Sequence, residues 1–88
     1  MEFRWNEWNL EHVAQHGVSP EEVEKAILTA GPPFPLARSD DKWLVWGCGR
    51  GGRWLQAVYV LDEDDTVFVI HARPLTHREK RRLRRRTT

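Results

Sequence analysis

His71 and Arg73 stand two residues apart in the run Val67-Phe68-Val69-Ile70-His71-Ala72-Arg73. The run is rich in β-branched and aromatic residues and reads as a strand. Residues two apart on a strand point to one face. An imidazole titrates at about pH 6.5 when unperturbed, so it can give or take a proton near neutrality. A guanidinium beside it can hold a phosphate or offset charge developing on one. Metal-free cleavage of a phosphodiester next to a 2′-hydroxyl needs a base, cations around the phosphorane and an acid for the leaving oxygen. His71 and Arg73 can supply two of these. The plainer reading is a surface pair at a strand end.

Other residues could contribute. Arg50 and Arg53 flank the glycine-rich segment Gly49-Arg50-Gly51-Gly52 and could reach phosphates; an ordinary tight turn with two exposed Arg is the simpler account. Gly47, Gly49 and Gly52 match the dinucleotide-binding glycine spacing by accident, because a strand and not a helix follows them. His12 and His16 have the four-residue spacing of a helical metal pair, but Val13, Ala14 and Gln15 between them supply no Glu and no third ligand is evident. His16 near a helix end is better read as favouring the helix dipole. Glu79 could act as an acid or base, but it lies three residues after Thr76, where a capping box accounts for it fully. No cofactor or metal is expected.

Charge is strongly polarised. Of the last eighteen residues, His71 to Thr88, eight are Lys or Arg and one is acidic, a net of about +7. The first seventy residues hold the other six basic residues and twelve acidic ones, about −6. Seven of the eight terminal cations are Arg, whose planar fork suits phosphate. An anionic partner, nucleic acid foremost, is the expectation. Arg53 and Arg78 join His71, Arg73 and Glu79 as candidate catalytic residues. Lys42, Arg50, Lys80, Arg81, Arg82 and Arg85 are the candidate RNA-binding cations.

At 88 residues and 40% apolar composition the chain is one small globular domain, residues 1–88. It carries no secretory leader, no long apolar run and a single Cys, Cys48, so no membrane and a reducing cytoplasmic setting are expected.

The elements that must position these residues read as β-α-α-β-β-β-α. Phe3-Arg4-Trp5 is a short strand. Asn6 caps a helix from about Glu7 to His16, with Leu10, Val13 and Ala14 as its buried stripe and Gly17 closing it. Ser19 caps a second helix to about Thr29, with Pro20 at its first turn, Glu22 completing the capping box, and Val23, Ala26, Ile27 and Ala30 inward. Three strands follow, from Lys42 to Gly47, Arg53 to Leu61 and Thr66 to Arg73, joined by short links and therefore antiparallel. Strict alternation puts Phe68, Ile70 and Ala72 on the core face and Val67 and Val69 on the His71 face. Trp43 and Trp46 fall on opposite faces, and a Trp on the free face is read as an anchor for a partner. Thr76 starts a basic terminal helix, with residues 84–88 expected to fray. The architecture is α+β: a mainly antiparallel four-stranded sheet, two helices on one face, and the other face uncovered.

One family shares most of these motifs. Phe3-x-Trp5-Asn6-Glu7, Asn9, His16-Gly17-Val18-Ser19-x-Glu21-Glu22, Gly52-Arg53 and Ala72-Arg73-x-x-Thr76-x-Arg78-Glu79-x-x-Arg82 occur in order along nearly the whole chain. In these the sequence resembles the BrnT toxins of type II toxin–antitoxin systems. The resemblance implies a RelE-like fold and a ribonuclease that stops translation by cutting RNA. It also implies a BrnA-like antitoxin encoded beside it, with operator DNA bound only through the antitoxin. The matching basic positions are Arg53, Arg73, Arg78 and Arg82, with Glu79 beside them. The chain departs from the family in having Asn6 for Asp, Gln15 for Lys or Arg, and Pro20 for an aromatic residue. Two rival readings accompany the ribonuclease: a non-catalytic nucleic-acid-binding domain, and a protein-interaction module that docks its basic helix on an acidic partner.

Overall fold

Paired caps set the first third of the chain. The Asn6 side chain accepts from the Asn9 N–H at 3.2 Å, and the Asn9 side chain accepts from the Asn6 N–H at 2.7 Å. This reciprocal box starts α1, Glu7–Ala14, directly after β1, Phe3–Arg4. Asn9 is fully buried and its amide also donates to the Arg4 carbonyl at 3.1 Å, so its burial leaves no polar atom unpaired. Leu10 and Ala14, expected in the core, are exposed, Leu10 at 41%; Asn9 and Val13 are the buried positions of α1. The capping bonds hold the helix with Asn9 turned inward. α1 is also shorter than expected, because its last carbonyls close a turn. Gly17 N–H donates to the Ala14 carbonyl and Val18 N–H to the Val13 carbonyl, with Gly17 at φ +67°.

Ser19 and Glu22 make the second capping box, and α2 runs Pro20–Thr29. Val23, Ala26 and Ile27 face the core as their spacing requires. The Trp5 indole N–H donates to Glu24 at 2.8 Å, tying the β1–α1 link to α2.

A computed structural model describes residues 1–87, with side chains described through Arg85. The remaining elements are β2 (Leu36–Ala37), β3 (Trp43–Cys48), β4 (Trp54–Leu61), β5 (Val67–Pro74) and α3 (His77–Thr87). The sheet has five strands, not four, in the order β1-β5-β4-β3-β2. β1 lies parallel to β5 and every other pairing is antiparallel. The additional strand has two residues, too few to carry a period-two signature, and it pairs Leu36 with Leu44 and Ala37 with Trp43. The expected fraying of 84–88 includes Thr88, which lies outside the described residues; α3 itself continues to Thr87.

α2 packs over β3 and β4, and α1 over β5. Gly47 permits the first contact, since a Cβ there would lie 2.0 Å from the Ala26 carbonyl oxygen. Val13, Val23, Val45, Leu55, Val67 and Val69 are at most 2% exposed and form the centre of the core. Each contributes roughly 1.5–3 kcal/mol by leaving water.

β5 is irregular. Val58 pairs with His71, but Tyr59 pairs with Val69, which leaves Ile70 as a bulged residue. The bulge reverses parity. Val67, Val69 and Ala72 all face the core, whereas strict alternation had put Val67 and Val69 with His71 and sent Ile70 inward. Beyond the bulge the expected facing of His71 and Arg73 holds: they stand opposite Val58 and Gln56, away from buried Ala57 and Leu55.

Candidate functional site

Across β3, β4 and β5, the rung Trp46–Gln56–Arg73 and the position of His71 opposite Val58 build one patch on the face away from α2. Arg73 is held by Glu79. Its Nη1 donates to Glu79 Oε1 at 2.7 Å and to the Pro74 carbonyl at 3.1 Å, and its Nη2 donates to Glu79 Oε2 at 2.8 Å. Glu79 also accepts from the Thr76 N–H at 2.9 Å, while Thr76 Oγ1 accepts from the Glu79 N–H at 3.1 Å. The capping box thus exists and is fused to a bidentate ion pair. The Arg73 guanidinium, with help from the Thr76 N–H, holds the Glu79 carboxyl down at about 2. A carboxylate so placed stays ionised near neutrality and is a weak proton acceptor. Arg73 keeps its Nε–H and one Nη2–H for other acceptors.

His71 is partly buried beside α1. The His16 ring lies 5.5 Å from the His71 ring, edge to face. Burial lowers the His71 pKa below the ordinary histidine range, and the nearby His16, Arg73 and His12 push it the same way. His71 is therefore a neutral imidazole around pH 7, ready to take a proton. The face around it is not free of helices, as had been expected. α1 reaches round the β5 side of the sheet, with Trp8 stacked on Phe68 at 5.9 Å and close to His12 at 3.9 Å. His12 Nδ1 meets the Trp8 carbonyl at 2.6 Å; a carbonyl only accepts, so Nδ1 carries the proton. Among the described residues no cluster of three His, Cys, Asp or Glu could hold a metal.

Trp43 and Trp46 lie on opposite faces, as spacing predicts; Trp46 is on the face away from α2, but it is only 8% exposed. The Phe34 ring lies 5.8 Å from it, the Arg82 guanidinium stands 5.8 Å over its ring, and its N–H donates to Gln56 Oε1 at 3.1 Å. It is therefore not an exposed anchor for a partner, because the loop before β2 and α3 cover it. These groups, with Arg38 and Glu79, line a cavity of about 210 Å³.

Arg53 is committed elsewhere. It makes two bonds to Glu22, at 2.9 and 3.0 Å, and one to the Gly17 carbonyl at 2.8 Å. It lies on the helix side, across the sheet from Arg73, and ties the β3–β4 hairpin to the start of α2. Arg50 is exposed at the hairpin tip and Lys42 is half-buried at the start of β3. Arg78, Arg81, Arg82 and Arg85 are exposed on α3. Lys80 and Leu83 border a second cavity of about 180 Å³ beside Trp54. The structure thus gathers His71, Arg73, Glu79 and Arg82 and leaves Arg53 apart. His16, Gln56 and Phe34 were missed as site residues. Only Gln56 left a usable trace, as the lone polar residue facing outward in Leu55-Gln56-Ala57-Val58-Tyr59.

The element order, the one parallel edge and the basic terminal helix define a small α+β fold. In a search of solved structures the chain is similar to the ribonuclease toxin BrnT of Brucella abortus, with a TM-score of 0.69 and 19% identity. The match covers 88% of this chain and 99% of that one. The chain has the BrnT fold, as its sequence motifs imply. No protein-family model and no curated protein sequence matches it. Among the described residues, no helix is long and apolar enough to cross a membrane.

Proposed function

We propose that this protein is a metal-independent endoribonuclease toxin of the cytoplasm, which stops translation by cutting RNA and is neutralised by a BrnA-like antitoxin encoded beside it. Operator DNA is reached only through that antitoxin. The observation that carries the reading is the position of His71, a neutral imidazole touching His16 and sharing a sheet face with Arg73.

His71 takes the proton of the ribose 2′-hydroxyl. The 2′-oxygen attacks phosphorus, and the bond from phosphorus to the 5′-oxygen breaks. His16, whose ring meets that of His71 edge to face, gives a proton to the leaving oxygen. The free N–H groups of Arg73, with Arg78 and Arg82 on α3, offset the charge of the phosphorane. Glu79 orients Arg73. Lys80, Arg81, Arg85 and the more distant Lys42 and Arg50 draw the RNA backbone in. Arg53 braces the fold.

The test is digestion of RNA, free and ribosome-bound, by purified protein in EDTA. Products ending in a 2′,3′-cyclic phosphate are expected, together with growth arrest on induced expression and rescue by the adjacent gene. No cleavage of either substrate overturns the enzyme. One observation favours a second reading, a non-catalytic RNA-binding domain: Glu79 already neutralises Arg73. That reading requires salt-sensitive RNA binding without product.

A further inference from the structure

Beside the candidate phosphate centre, on the sheet face away from α2, lies the cavity of about 210 Å³ between the Phe34 loop, β3, β4 and α3. Its walls are chemically uneven. Phe34 and Trp46 give flat aromatic surface. Arg38 and Arg82 supply positive charge. The carboxylate present, Glu79, already has Arg73 on both oxygens and the Thr76 N–H on one. The Gln56 amide has a fixed orientation. An indole N–H can only donate, so the Gln56 oxygen faces Trp46, and the two Nε2–H donors are left for a ligand. Gln56 is also the direct ladder partner of Arg73, about 5 Å away across the strands.

We propose that this cavity is a nucleobase subsite, taking the base next to the scissile phosphate and selecting one that presents a carbonyl oxygen. The inference rests on the ribonuclease reading. An aromatic wall accepts any base by stacking. The Arg82 guanidinium stands 5.8 Å over the Trp46 ring, and when a base enters it turns to the adjacent phosphate. Selection comes from Gln56. Its amide donates to O6 of guanine or to a carbonyl of uracil or cytosine. Adenine accepts there only through a ring nitrogen beside its 6-amino group, which sets a donor against the second Gln56 Nε2–H, and one neutral hydrogen bond lost makes about a tenfold loss.

The test uses mononucleotides, which contain no cleavable linkage, and reads the indole N–H resonance of Trp46 by NMR. Trp46→Phe assigns that resonance. UMP and GMP should move it, with AMP about tenfold weaker. Gln56→Glu keeps an acceptor for the Trp46 N–H and replaces the free donor with an acceptor. It should therefore reverse the preference toward AMP, whose amino group donates. A Trp46 resonance unmoved by any mononucleotide overturns the subsite. So does equal response to UMP, GMP and AMP, an unchanged preference in Gln56→Glu, or movement only with a Glu-rich peptide, which marks a protein-docking pocket instead. Cleavage of RNA with an unmoved Trp46 keeps the ribonuclease and loses the subsite. Movement by UMP without cleavage of any RNA keeps base recognition and loses the ribonuclease.

Discussion

The Arg73 guanidinium spans both carboxylate oxygens of Glu79, at 2.7 and 2.8 Å, so the end of β5 and the first turn of α3 are locked by one ion pair. Both side chains are partly buried, at 28% and 17% exposed. A bidentate pair of this kind outweighs an ordinary surface pair because less of its charge is screened. Glu79→Gln should lower unfolding free energy by about 1–3 kcal/mol in urea at pH 7. The folded-state pKa of Glu79, about 2, lies below its usual 4.5. Its contribution is therefore complete above pH 4.5 and fades as the pH falls toward 2. The gap between the two proteins should close over that window. A gap independent of pH would assign the loss to something other than the carboxylate.

His71 should dominate the pH dependence of cleavage. Its pKa is lowered, chiefly by burial, so the base form persists below pH 6.5. The acid limb of kcat/KM should accordingly fall below that value, and His71→Ala should cost about 10²–10⁴-fold. His16→Ala should slow cleavage on the same scale. Full activity in His71→Ala removes that residue from the mechanism.

Arg53→Ala should destabilise more than it disarms. The side chain joins the β3–β4 hairpin to Glu22 and the Gly17 carbonyl and faces the helix side. It is 46% exposed, so the expected loss is about 1 kcal/mol or less. Cleavage measured below the melting range should stay within about threefold of the parent. A loss of 100-fold would return Arg53 to the phosphate site that the sequence motif assigns it.

Gly47→Ala tests the helix-on-sheet contact. A Cβ at 2.0 Å from the Ala26 carbonyl oxygen meets backbone, which cannot swing away. A loss of about 3 kcal/mol or more is expected, read as a lower urea midpoint. A neutral result would mean that α2 sits farther from β3.

Ending the chain after Leu83 removes Arg84, Arg85 and Arg86. RNA binding should weaken, and its salt slope should fall by about one for each phosphate-contacting cation lost, while the cleavage step changes less. The opposite outcome would place chemistry in the tail.

Most of the element order was legible because its signals are local. Asn6, Ser19 and Thr76 cap three helices, and Gly17 closes one. β2 escaped because two residues carry no period. The facing of β5 was half legible: a bulge at Ile70 depends on pairing with β4 and leaves no mark in the run itself. Leu10 was misplaced because a buried, fully paired Asn9 took its position. His71 and Arg73 were visible by spacing. The His16 contact was not, since it depends on how α1 lies against β5. A Trp on the far face read as an anchor because nothing in the sequence shows Phe34 and Arg82 covering Trp46.

The central claim is transesterification by the 2′-hydroxyl at the His71 site. The most direct measurement is digestion, in EDTA, of one mapped RNA and of the same RNA with a single 2′-deoxynucleotide at the cut. The account predicts cleavage of the first to a 2′,3′-cyclic phosphate, no cut at that position in the second, and loss of both products' source activity in His71→Ala. Equal cutting of the deoxy-substituted strand, or no cutting of either RNA, would contradict it.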